Sequence, residues 1–150
     1  MPVLLELFAE LADYERLTHE LHASAEDLAS ALFGERPAAE AFLAERPGDG
    51  AVLGYALFYP TFSSFLAKPG IWLEDLFVRA DSRGLGVGRS LLAAVASRTI
   101  DLGGERLEWA ALDWNELALG FYRGIGAETT PEWITHRLAG PSLASVADQA

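Results

Sequence analysis

From Ile71 to Leu92 the chain reads Ile-Trp-Leu-Glu-Asp-Leu-Phe-Val-Arg-Ala-Asp-Ser-Arg-Gly-Leu-Gly-Val-Gly-Arg-Ser-Leu-Leu, and no other segment restricts the fold as strongly. An apolar strand runs into a turn with glycine at positions 84, 86 and 88, and a helical pattern follows. Positions without a Cβ let an anion come close to the backbone, and the unpaired amides and positive dipole end of the following helix face it. The segment therefore predicts a strand, a pyrophosphate-binding turn and a helix. A P-loop is excluded, because Arg89-Ser90 stands where Lys followed by Ser or Thr is needed. A dinucleotide turn is excluded too. Its third glycine would lie one residue further on, and too little chain follows for a doubly wound sheet. The bland alternative is a helix start that is merely glycine-rich.

At 150 residues and 51% apolar, the chain predicts one domain over residues 1–150, long enough to bury a sizeable core. It contains no Cys, which removes disulfides, a thiolate nucleophile and Cys-ligated metals. His19 and His22 form the one close histidine pair, with His136 far along the chain, and such a pair on an amphipathic helix is more often solvated than metal-binding, so no metal is expected. A formal charge of −11 opposes nucleic acid and anionic lipid and draws a cationic amine toward a cleft. The start, Met1 to Phe8, lacks a basic region, and no apolar run approaches the roughly 20 residues of a membrane span. A soluble, cytoplasmic protein is expected.

Val3, Leu4, Leu7, Leu11, Tyr14, Leu17 and Leu21 fall on one stripe and predict a helix over 3–21. Ser24 with Glu26 and Asp27 predicts the start of a second helix. Residues 39–45 and 51–61 read as a hairpin about the turn Arg46 to Gly50, and a loop over 62–70 leads to a strand over 71–78. A helix over 86–102 should turn Leu91, Leu92, Val95 and Ile100 inward, with Gly103-Gly104 as its stop. A strand over 106–112, a helix over 116–124 and a last strand near 133–138 follow, and the tail from about 140 to 150 is expected to fray.

The segment Leu107-Glu108-Trp109-Ala110-Ala111-Leu112-Asp113-Trp114-Asn115-Glu116-Leu117-Ala118-Leu119-Gly120-Phe121-Tyr122-Arg123-Gly124-Ile125-Gly126-Ala127, taken with the glycine turn, resembles the two central motifs of the GNAT acetyltransferases. Glu-Leu-Ala-x-Tyr-Glu at 10–15, Leu-Glu-Asp-Leu-Phe-Val at 73–78 and Trp-Asn-Glu at 114–116 further resemble the diamine (spermidine/spermine-type) branch. The resemblance implies an α/β (α+β) GNAT fold, a central mixed, mostly antiparallel sheet with splayed middle strands flanked by helices. Family members begin with a strand before the first helix, whereas this chain enters its helix almost at once: either its start was assigned late or that edge strand is absent, which would leave a neighbouring edge unpaired. A homodimer is also implied.

The same resemblance implies an acetyl-CoA-dependent N-acetyltransferase that passes an acetyl group to a primary amine of a small molecule, a diamine, polyamine or lysine-like amine, by direct attack on the thioester. Tyr122 is then the acid for the departing thiolate, and Glu74 takes the amine proton through water. Strand alternation puts Asp75 on the opposite face, so one acid of the two faces the cleft. Leu76, Phe77 and Val78 would pair their backbone with the pantetheine arm, with a backbone N–H near Phe77 facing the oxyanion. Gly84, Leu85, Gly86, Val87, Gly88 and Arg89 would ring the pyrophosphate with help from Arg83, and Asn115, Ala118 and Phe121 would touch the arm. Tyr14, Glu15, Glu74 and Glu132 would meet the amine. The loop Thr61 to Leu66 is apolar where polyamine enzymes carry an acid, which weakens the case for a long polycation. The alternatives are a peptide or protein N-terminal acetyltransferase and a noncatalytic coenzyme A-binding protein.

Overall fold

A single sheet of order β1-β2-β3-β4 organises the larger part of the protein: β1 (Glu40–Glu45), β2 (Val52–Ser63), β3 (Lys68–Val78) and β4 (Leu107–Trp109). The structure is a computed structural model that describes residues 1–149. These divide into two units, residues 1–110 and the chain from 111 onward.

In the first unit β1, β2 and β3 are antiparallel neighbours, while β4 runs parallel to β3. The hairpin expected over 39–61 is present. The loop expected over 62–70 is much tighter, because both strands continue until Ser63 pairs with Lys68. The β3–β4 ladder consists of Ile71, Leu73 and the residue between them opposite Leu107, Trp109 and Glu108. Beyond Leu73 no strand pairs with that edge of β3 among the described residues, which is the splay expected of the middle strands.

Helices cover both faces. Helix α1 (Pro2–Tyr14) opens on a proline, whose fixed φ suits a first turn, and buries Leu4 and Leu7. With Leu28 of α2 (Ala25–Phe33) they close over Tyr55 and Phe77 of the sheet. Helix α3 (Val87–Asp101) packs against β1, β2 and β3 and buries Leu91, Leu92, Val95 and Thr99. Ser24 caps α2 as expected: its hydroxyl accepts from the Asp27 amide at 3.1 Å, and the Asp27 carboxylate accepts from the Ser24 amide at 3.3 Å.

Several expectations are corrected. The first helix stops at Tyr14, not near residue 21. Leu17 N–H donates to the Ala12 carbonyl and Arg16 N–H to that of Asp13, with Arg16 at φ 61°, a left-handed helix stop built on arginine where glycine is usual. Ile100 is 72% exposed, and Thr99, four residues beyond Val95, takes the inward position and donates its hydroxyl to the Val95 carbonyl at 2.9 Å. The strand expected over 106–112 shrinks to three residues.

In the second unit, α4 (Glu116–Gly124) spans the expected residues and α5 (Gly140–Ala147) forms in the tail that was expected to fray. The strand expected near 133–138 does not form. No strand lies in this unit among the described residues, so nothing there pairs with that segment, and Trp133 and Ile134 are exposed. No helix among the described residues is long and apolar enough to cross a membrane.

Candidate active site

The ladder between β2 and β3 slips once. Leu57 faces Asp75, but the next β2 residue, Phe58, faces Leu73, so Glu74 is an extra residue, a bulge. On one side of it Asp75 and Phe77 share a face with Leu57 and Tyr55; on the other Trp72 shares that face with Tyr59. The Glu74 carboxylate accepts from Trp72 Nε1 at 2.9 Å. Burial raises the proton affinity of both Tyr59 and Asp75, and the Glu74 charge adds to it. The expectation that Glu74 and Asp75 point to opposite faces is therefore corrected. The bulge breaks strict alternation, and both acids serve one neighbourhood.

Asp75 is the more perturbed of the two. Burial raises its carboxyl to about 6, assisted by Glu74 and Glu15 and opposed by the hydrogen bond it accepts from Tyr55 Oη at 3.1 Å. Glu15, at the C-cap of α1, is raised by burial, and its charge reaches both Asp75 and Tyr55. Three carboxylates, Glu15, Glu74 and Asp75, thus share one field, edged by Tyr59 and Trp72. Asp75 is the site residue that sequence reasoning set aside, and its signal, an acid inside an apolar strand, was visible.

Tyr14 ends α1 with its ring 4.8 Å from the Arg83 guanidinium carbon, and Arg83 Nε donates to the Val78 carbonyl at 3.1 Å. Arg83 is thus held by the end of β3 and by α1. An outer clamp supports it: Arg79 binds Glu6 at 2.6 Å and Glu10 at 2.9 Å on α1 and donates to the Val52 carbonyl at 3.2 Å.

The glycine turn leaves its backbone uncovered. Gly84 and Gly86 sit at φ 78° and 82°, and a Cβ built at either meets no atom within 4 Å, so the space before them is open. Gly86 is the N-cap of α3, and no side chain caps the helix or places an acid in its first turn. With Leu85, Val87, Gly88 and Arg89 it forms the turn that opens α3, where the first amides of the helix have no partner within it. Leu76, Phe77 and Val78 lie on the stretch of β3 that no strand among the described residues covers on its second edge.

In the second unit Asn115 is the N-cap of α4 and its side chain accepts from the Ala118 amide at 3.2 Å, a capping role in addition to any ligand contact. The rings of Phe121 and Tyr122 lie 5.4 Å apart. Glu132 is exposed. Among the described residues no group of three metal-ligating side chains occurs.

A sheet that parts beyond Leu73, a glycine turn opening a helix and acids at a strand bulge together define an acyl-transfer fold, and the comparison with known proteins is direct. The chain belongs to the acetyltransferase (GNAT) family, whose model matches residues 4–127, and it is an N-acetyltransferase. It is 33% identical to L-ornithine N5-acetyltransferase NATA1 of Arabidopsis thaliana, over 97% of this chain and 83% of that protein. It is 34% identical to the thialysine N-epsilon-acetyltransferase of Bos taurus, over 96% of this chain and 89% of that one. Among solved structures, an integron cassette protein from the mobile metagenome of V. cholerae superimposes with a TM-score of 0.79 at 31% identity, covering 96% of this chain and 89% of that one.

Proposed function

We propose that the chain transfers the acetyl group of acetyl-CoA to a primary amine of a small cationic molecule with the character of ornithine or a lysine analogue. The observation that carries this reading is the shared field of Glu74 and Asp75 at the β3 bulge with Glu15 at the end of α1. An ammonium group is what such a field attracts. The relatives named for ornithine and thialysine support the same substrate class. The exposed Phe62 and Phe65, in a hairpin tip without an acid, argue against a long polycation.

Residues Gly84 to Arg89 hold the diphosphate, and the backbone of Leu76, Phe77 and Val78 takes the pantetheine arm, with a Phe77-region N–H toward the reacting carbonyl oxygen. Bound acetyl-CoA supplies the activated acetyl thioester. Tyr14, Glu15 and Glu132 orient the amine, and Glu74 accepts its proton through water. Tyr122 protonates the departing thiolate, and Asn115, Ala118 and Phe121 shape that side. Residues 1–150 make up a single acetyltransferase domain, in a cytoplasmic homodimer.

Release of free thiol from acetyl-CoA, followed with a chromogenic disulfide across ornithine, thialysine, putrescine, spermidine and a peptide with a free N-terminus, tests the reading. Turnover of the short amines is expected. Turnover of the peptide alone would replace it with N-terminal acetylation, and no thiol with any acceptor would leave only coenzyme A binding.

A further inference from the structure

Resting on the reading of Glu15, Glu74 and Asp75 as the amine-binding face, we propose that Tyr55 is a positioning residue for the acceptor: its hydroxyl fixes the Asp75 carboxylate and keeps it ionised to receive the ammonium group. Tyr55 sits on β2 with 0% exposure, its ring 5.2 Å from that of Phe8 and 6.3 Å from that of Phe77, inside the cluster formed with Leu4, Leu7 and Leu28. Phenylalanine would fill that place equally well, so packing does not call for an oxygen. The hydroxyl carries a cost of burial unless it is bonded, and it donates to Asp75 Oδ2 at 3.1 Å. Register makes the contact possible, because Tyr55 faces Phe77 and Leu57 faces Asp75, which sets the two as diagonal neighbours.

That hydrogen bond goes to the charged form of the acid and favours it. The ionisable groups around Asp75 are Tyr55 from β2, Glu74 from its own strand and Glu15 from the end of α1. Both charges that act on it are negative, and burial also drives a proton onto it. Tyr55 is the one influence that opposes protonation. Among the described residues no positive charge acts on this carboxylate, and a cationic acceptor supplies one.

Tyr55→Phe in the full chain tests this with ornithine as the acceptor. The KM for ornithine at about pH 7 should rise about tenfold, the scale of a lost hydrogen bond to a charged group. Turnover and the KM for acetyl-CoA should stay within about twofold, since neither the transferred group nor the turn is touched. The defect should shrink toward about pH 9, where Asp75 is ionised in both proteins. Carbon-13 NMR titration of the Asp75 carboxyl should show its midpoint displaced to higher pH in the variant, a readout that needs no turnover. Asp75→Asn should raise the ornithine KM without the pH dependence, and adding Tyr55→Phe to it should cost nothing further. An unchanged Asp75 titration together with an unchanged ornithine KM would overturn the proposal. If wild-type protein released no thiol with any amine, the functional reading would fail, while the titration would still decide whether Tyr55 holds Asp75 ionised.

Discussion

Trp72 and Glu74 are joined by a 2.9 Å hydrogen bond between residues two apart on one strand, with the indole as donor. The bulge that frees Glu74 from the ladder gives this carboxylate both exposure and a fixed direction. Glu74→Gln keeps the shape and the bond but cannot take a proton. Turnover should fall about 10²-fold or more, with the KM for acetyl-CoA unchanged. A rise in the amine KM with turnover intact would make Glu74 a binding residue only.

Tyr122→Phe removes one oxygen from the Phe121–Tyr122 ring pair on α4 and leaves the tilted ring contact in place. A drop in turnover of about 10²-fold, with acetyl-CoA affinity preserved in calorimetry, is expected of a thiolate acid. Equal losses in both would assign the phenol to structure.

Gly86→Ala forces an L side chain into φ 82°, which costs about 1–2 kcal/mol of folding free energy, and sets a methyl group in the space before the turn. Urea unfolding should register the first effect. Titration with a desulfo analogue of coenzyme A should register the second as an affinity loss of about tenfold or more.

The strand, glycine turn and helix over 71–102, the α2 cap and α4 were legible because each is written in adjacent residues: the three glycines, Ser24 with Asp27, Asn115 before its helix. What escaped depends on partners distant in sequence or on conformations without a marker. Arginine carries no sign that residue 16 takes φ 61°. The slip at Glu74 shows only once β2 is laid beside β3, and the donor to Asp75 lies twenty residues earlier. The segment 133–138, with Trp, Ile and Thr together, reads as a strand, yet a strand exists only where another one pairs with it.

Asp75 also gives stability a pH signature. Its carboxyl is raised from 3.8 to about 6, so the folded state holds the proton more tightly than the unfolded chain does. That contribution is complete below pH 3.8 and is lost as pH rises through about 6. Asp75→Asn should therefore gain stability relative to wild type between those limits, up to on the order of 3 kcal/mol at about 1.4 kcal/mol per pKa unit. Paired urea titrations at about pH 4 and pH 7.5 measure it. A wild-type-minus-variant difference that is the same at both values would contradict the shift.

Leu7→Ala probes the joint between α1 and the sheet. Leu7 has 0% exposure beneath the helix that ends in Tyr14 and Glu15. A loss of about 2–5 kcal/mol in unfolding free energy is expected by denaturant titration.

Among the described residues three residue pairs join β4 to β3. A guest laid along the bare main chain above Leu73 would be read through its amides, whatever side chains Leu76 or Val78 carried. Recognition of that kind would tolerate mutational drift, whereas acids that met the acceptor would reward particular partners. One scaffold can then keep a single donor for a very long time while its repertoire of acceptors diversifies.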